Sequence, residues 1–196
     1  MISRQGRILS LAIILGAVFG FATSLVSIYG VPLDYLFVQY NRAVYAGYYW
    51  QLLTSLFVVI PYSPYQGPLG VVDVLFNTFA VVVLDGLLAN AFYERQYYAV
   101  FFLSGLVGNI VSLLNGPGAV SFGASGGIFG LLAGAVMLEF VVERRVDYTL
   151  LAWFLLIFVI SSFALSYVDW LAHLGGSASG LIAGYLLGSR RRGEFI

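Results

Sequence analysis

The sequence has no cysteine and no lysine, a single histidine, and few charges of either sign. Without thiols there is no disulfide, no thiolate metal site and no cysteine nucleophile. Only 9% of the 196 residues are charged, against about a quarter in a typical soluble domain. The formal net charge is zero and no basic run is long, which argues against nucleic acid as a partner. What the chain does have is apolar surface. Its hydrophobic share is 61%, more than a soluble fold of this length can hide, so it reads as an integral membrane protein, all-α, with one domain over residues 1–196.

A helix needs about 20 mostly apolar residues to cross the hydrocarbon. Six stretches qualify, at roughly 8–29, 70–90, 97–114, 125–142, 148–166 and 169–188. The first follows Arg4 and Arg7 but is too long for a signal-peptide core and lacks an A-x-A site, so it reads as a span. Six spans with an internal N-terminus put eight of the nine arginines on the inner side, Arg42 alone lying outside. That asymmetry orients the chain with both termini cytoplasmic, in a multi-pass protein of the cell membrane. The first outer loop, about 30–69, holds Pro32, Pro61, Pro64 and Pro68 and many aromatics, including Tyr45, Tyr48, Tyr49 and Trp50. Aromatics favour the boundary between water and lipid, so this loop is expected at the outer leaflet.

Polar groups inside spans are costly and are functional candidates by default. They are Asp73, Asn77, Asp85, Asn109, Ser125, Glu139, Asp169 and His173. With a rise of about 1.5 Å per residue, Asn77 lies roughly 10 Å below the outer end of its span and His173 roughly 6 Å below its own. Ser125 lies near the same face. Three helices thus bring a hydroxyl, an imidazole and an amide donor to one layer, the parts that an acyl-transfer site needs.

Small residues four apart let membrane helices approach closely. Gly126, Gly130 and Gly134 form one such ladder; Gly176, Gly180, Gly184 and Gly188 form another. Packing ladder on ladder carries Ser125 and His173 to the same end of one seam. Seen alone, Ser125 is better explained by packing than by chemistry. Its hydroxyl needs a base to become a nucleophile, and His173 is the side chain suited to that role near neutral pH. Asp169, one turn before His173, is either the acid of a Ser-His-Asp triad or a solvated acid at the interface. Asn77 and the free N–H groups at the start of the fourth span, including that of Ser125, are candidate oxyanion donors. Asp73, one turn before Asn77, repels an oxyanion if ionised and donates to it if protonated.

Four stretches resemble the rhomboid intramembrane serine proteases. GASGGIFG (123–130) is similar to the family's G-x-S-G nucleophile motif, carrying Gly123, Ser125 and Gly126. AHLGGSASG (172–180) is similar to its histidine followed by small residues, YWQLLTSLFV (49–58) to its first-loop W-R-x-x-T stretch, and LFNTF (75–79) to the segment with the oxyanion asparagine. The resemblance runs from about 48 to 188, in the family's order. It implies a six-helix rhomboid-like bundle and a Ser125–His173 dyad without a third member. It also implies an oxyanion hole of Asn77 and Ser125, and Phe129 supporting the imidazole. Neither cofactor nor metal is implied, and the partners are transmembrane protein substrates and membrane lipid.

Three positions depart from the family pattern. Asp73 stands where a histidine is usual, Gln51 replaces the first-loop arginine, and Val58 and Val59 replace a polar site. The first bears on activity and pH optimum, the second on loop stability. Two other function classes compete with a protease. One is a catalytically weak or inactive rhomboid-like protein that binds transmembrane segments. The other is a transporter using Asp73, Asp85 and Glu139, against which the lack of repeats counts.

Overall fold

The computed structural model describes residues 2–28, 31–60, 69–163 and 168–193. Pro61, Pro64 and Pro68 of the outer loop, and the ends of the first and fifth expected spans, lie outside the described residues. Among the described residues six long helices carry the fold: α1 (Arg4–Ser24), α4 (Leu69–Ala91), α5 (Glu94–Ser112), α6 (Ser125–Glu143), α7 (Tyr148–Phe163) and α8 (Trp170–Gly193). Two short helices, α2 (Asn41–Tyr45) and α3 (Gln51–Thr54), lie between α1 and α4. α1, α4, α5 and α6 are long and apolar enough to cross a membrane. α8 is longer than any of them, but its four-glycine ladder and Arg190–Arg192 dilute its hydropathy. The protein is a polytopic helical membrane protein.

Several helix ends are fixed by side chains. The Ser3 hydroxyl accepts from the Gly6 N–H at 2.9 Å and starts α1. Asp147 Oδ1 accepts from Thr149 and Leu150 at 2.7 and 3.0 Å and starts α7. Asp169 Oδ1 accepts from the Ala172 N–H at 3.1 Å and starts α8. Each satisfies donors that the first helical turn leaves open.

The glycine ladders do what their spacing predicts. A Cβ on Gly176 would stand 3.0 Å from the Gly126 Cα, one on Gly180 2.7 Å from the Gly130 Cα, and one on Gly184 3.0 Å from the Gly134 Cα. α6 and α8 therefore run parallel, backbone against backbone, with no room for a methyl group. α5 closes on the same pair. A Cβ on Gly108 would meet the Ala172 carbonyl oxygen at 2.5 Å, and one on Gly127 the Phe101 ring at 2.7 Å. The core around this trio includes Phe101, Ile128, Phe129, Leu131 and Leu132, all buried.

The described part of the segment between α1 and α4 is more structured than its composition suggests. Strands β1 (Ser27–Ile28) and β2 (Val31–Pro32) pair antiparallel; β3 (Gln39–Tyr40) pairs with β4 (Val120–Ser121), just before α6. Buried Gln51 accepts from the Tyr40 N–H at 3.0 Å and donates to the Tyr35 carbonyl at 2.9 Å. Thus the residue standing in for an arginine tethers the loop through neutral hydrogen bonds. Asn109 of α5 ties down the short α3 segment, donating to the Leu52 carbonyl at 2.7 Å and to Ser55 Oγ at 3.0 Å. Val58 and Val59 are buried. Gly16 and Gly20 of α1 close on this segment, where an added Cβ would meet the Phe57 backbone and Val59 N at 2.5 and 3.1 Å. Apolar side chains thus suit the place where a polar site was the family expectation.

The start of α1 meets the end of α4. Asp85 accepts from the Ser3 hydroxyl at 2.6 Å and also from the Ser3 N–H. At the same end of the bundle Arg4 faces Glu94 at 3.6 Å, and Arg191 donates to Gln96 at 2.7 Å while its guanidinium lies over the Tyr93 ring. Asp85 is therefore paired at this end. The three acids of the transporter reading are not brought together. Asp73 lies against Gly123, Asp85 against Ser3, and Glu139 beside Glu143, Arg145 and Asp147.

Candidate active site

Ser125 is the first residue of α6, half-buried, at the end of the α6–α8 seam. Gly123 makes the turn into it. Its φ is +109°, a conformation that favours glycine, and its N–H donates to the Ser55 carbonyl at 2.8 Å. The first N–H groups of α6, Ser125's own included, have no carbonyl a turn earlier within the helix.

His173 lies in the first turn of α8 and is only 2% exposed. Its Nε2 is 2.8 Å from Ser125 Oγ, and its Nδ1 is 2.8 Å from Ser162 Oγ, in the last turn of α7. The Phe129 ring lies 4.5 Å from the imidazole, centroid to centroid, and the Phe158 ring 6.4 Å. Phe129 is one turn after Ser125, so one face of α6 presents both the hydroxyl and the aromatic that limits the imidazole's rotation.

Asp169 does not touch the imidazole. Its Oδ1 accepts from Asn115 Nδ2 at 2.9 Å as well as from the Ala172 N–H, and its Oδ2 takes the Ser112 hydroxyl. Of the two readings open for Asp169, the triad is therefore excluded by geometry. The acid is a half-buried helix cap tied to Ser112 at the end of α5.

Asn77 is buried and donates from Nδ2 to Asp73 Oδ2 at 2.8 Å. The Asp73 carboxyl lies directly on Gly123, where an added Cβ would stand 2.6 Å from Oδ1. The structure thus makes two groups of the candidate residues. Ser125, His173 and Phe129 form one; Asn77, Asp73 and Gly123 form the other, and the two meet at the turn that leads into Ser125. Gly126 lies in the seam, 3.4 Å from the Ala172 carbonyl oxygen measured from an added Cβ.

Ser162 joins the site from α7, with no motif in the sequence to mark it. A serine within an apolar span carries no signal of its own, and only the fold shows that it faces the one histidine. No group of acids, histidine or cysteine that would hold a metal occurs among the described residues.

The rhomboid domain model matches residues 46–190, well over half of the chain. Among curated proteins, the chain is 27% identical to Rhomboid protease GluP of Bacillus subtilis over 79% of its own length and 29% of that protein's. It is 34% identical to RHOMBOID-like protein 1 of Arabidopsis thaliana over 60% of its own length and 31% of that protein's. RHOMBOID-like protein 7 of the same plant is 29% identical over 76% of this chain and 46% of its own length. The chain spans less than half the length of each of these three relatives. The matched region takes in both glycine ladders, the Ser125 turn and His173, and this chain belongs to the rhomboid family.

Proposed function

We propose that this chain is an intramembrane serine endopeptidase, a single rhomboid domain that cleaves transmembrane protein substrates near the outer membrane face. The observation that carries the reading is the 2.8 Å contact between Ser125 Oγ and His173 Nε2. A serine wedged among glycines for packing alone has no need of the chain's only imidazole.

In the proposed reaction His173 Nε2 takes the Ser125 proton as Oγ attacks the scissile carbonyl. The tetrahedral oxyanion is met by the Ser125 N–H and by Asn77. The imidazolium returns its proton to the leaving amine, and water then releases the acyl-enzyme by the same steps. The site faces outward and the arginine-rich ends face the cytoplasm, so both termini are cytoplasmic and the protein resides in the cell membrane. Catalysis needs neither metal nor cofactor.

A second reading, a weak or inactive rhomboid-like protein that binds transmembrane segments, draws on one observation. The Asn77 amide gives one of its donors to Asp73. One experiment separates the two: cleavage of a labelled transmembrane substrate in liposomes by wild type, Ser125→Ala and His173→Ala. Cleavage by wild type and its loss in both variants supports the protease. Binding without cleavage at any pH from 4 to 9 (a range of about five units that brackets imidazole titration) sinks it.

A further inference from the structure

A base that accepts the Ser125 proton through Nε2 must hold its own proton on Nδ1, because a neutral imidazole carries one N–H. Left to itself, nothing fixes which nitrogen that is. The usual solution is a carboxylate or carbonyl on Nδ1, and the nearest carboxylate, Asp169, is committed to Ser112, Asn115 and the α8 cap. What does face Nδ1 is Ser162 Oγ, at 2.8 Å, with both residues buried.

We propose that Ser162 is a positioning residue for the reaction put forward above, accepting the Nδ1–H of His173 and so reserving the Nε2 lone pair for Ser125. The inference rests on the protease reading for its purpose, but not for its geometry. The pair is shielded by Phe129 and Phe158, whose rings flank the imidazole at 4.5 and 6.4 Å. Water therefore competes poorly for Nδ1, and a neutral hydroxyl suffices where an exposed site would need a charge. Ser162 comes from α7, while the base and nucleophile come from α8 and α6. The tautomer of the base thus depends on the placement of a third helix.

His173 is the only histidine in the chain, so 15N-histidine labelling gives the resonances of this one ring in detergent or nanodiscs. The expected wild-type spectrum has a pyrrole-like Nδ1 and a pyridine-like Nε2. Ser162→Ala shifts population to the Nε2–H tautomer. It lowers kcat by about tenfold, the worth of one buried hydrogen bond, with KM unchanged. Ser162→Thr, which keeps the hydroxyl, restores both. A proton on Nε2 in the wild type, or a Ser162→Ala protein with unaltered tautomer, overturns the proposal. The ring spectrum needs no turnover. Failure of the protease reading would therefore appear as missing cleavage, with the tautomer result still standing for or against Ser162.

Discussion

Asn77 donates to Asp73 at 2.8 Å, and Asp73 rests on Gly123, two residues before the hydroxyl that the reaction would use. Under the proposed mechanism, an amide meant to meet the oxyanion thus gives one of its N–H groups to an acid beside the turn into the nucleophile. An ionised carboxyl here opposes the transition state; a neutral one does not.

The first prediction follows from that arrangement. Asp73→Asn keeps the size and the partner of the side chain but removes the charge. At alkaline pH, where the wild-type carboxyl is ionised, it raises kcat by about tenfold, a modest part of the 10²–10³ that one oxyanion donor is worth. The ratio of variant to wild-type activity shrinks as pH falls and Asp73 takes up a proton. Taking the ratio cancels the titration of His173, which both proteins share. A ratio that stays at or below one across the pH range would show that Asp73 does not oppose the reaction.

Asp169 supplies the second. As the missing acid of a triad it would be worth about 10⁴-fold in kcat; as a cap it is worth stability. Asp169→Ala leaves the Ala172 N–H uncapped and the buried Ser112 hydroxyl without its partner. The expected loss is roughly 1–3 kcal/mol in unfolding free energy, with kcat of the folded fraction changed less than about tenfold. Titrating active sites with a fluorophosphonate before measuring turnover separates the two effects. A fall in kcat of three orders of magnitude at full site occupancy would return Asp169 to the chemistry.

Much of this was legible in the sequence because the membrane restricts the alternatives. The glycine ladders could be read as a helix seam, since only small residues at that spacing allow backbone contact in lipid. The seam alone then carried Ser125 to His173. Phe129 entered through the family resemblance. The structure of residues 31–60 was harder to read. Its order comes from side chains such as Gln51 and Asn109 bonding to distant backbone carbonyls, and such partners leave no periodic trace. Ser162 was invisible for a related reason. A hydroxyl in an apolar helix acquires meaning only from what a neighbouring helix sets against it, here His173 Nδ1. The role of Asp169 is not legible either, because one-turn spacing from a histidine fits a catalytic acid and a solvated one alike and shows nothing of the cap on α8.

Gln51 gives the third prediction. Both ends of its carboxamide are used, on Tyr40 and Tyr35, and it is buried. Gln51→Ala leaves a donor and an acceptor without a partner under the outer loop, a loss of about 1–3 kcal/mol. Gln51→Glu keeps the acceptor for the Tyr40 N–H but sets a carboxylate against the Tyr35 carbonyl, and is expected to cost at least as much. Thermal unfolding in detergent checks both. A Glu variant as stable as wild type would mean that the Tyr35 bond contributes little.

The fourth prediction concerns the seam itself. A methyl group at Gly180 would overlap the Gly130 backbone, and one at Gly176 the Gly126 backbone. Gly86, by contrast, is exposed on α4 with nothing within 4 Å of an added Cβ. Gly86→Ala is therefore neutral or stabilising by up to about 1 kcal/mol. Gly180→Ala and Gly176→Ala each cost about 1–3 kcal/mol, because helices packed on their backbones must part to admit a side chain. The two seam variants differ in function, however. Gly180 is two turns beyond His173, whereas Gly176 is less than one, facing the residue after Ser125. Parting the helices at Gly176 lengthens the contact between Ser125 Oγ and His173 Nε2, and small misplacements at a reacting centre cost large factors in rate. Fluorophosphonate labelling rates, measured well below each variant's melting temperature, are thus expected to fall about a hundredfold for Gly176→Ala and only severalfold for Gly180→Ala. Equal labelling rates in the two would mean that the seam stabilises the bundle without setting the distance between nucleophile and base.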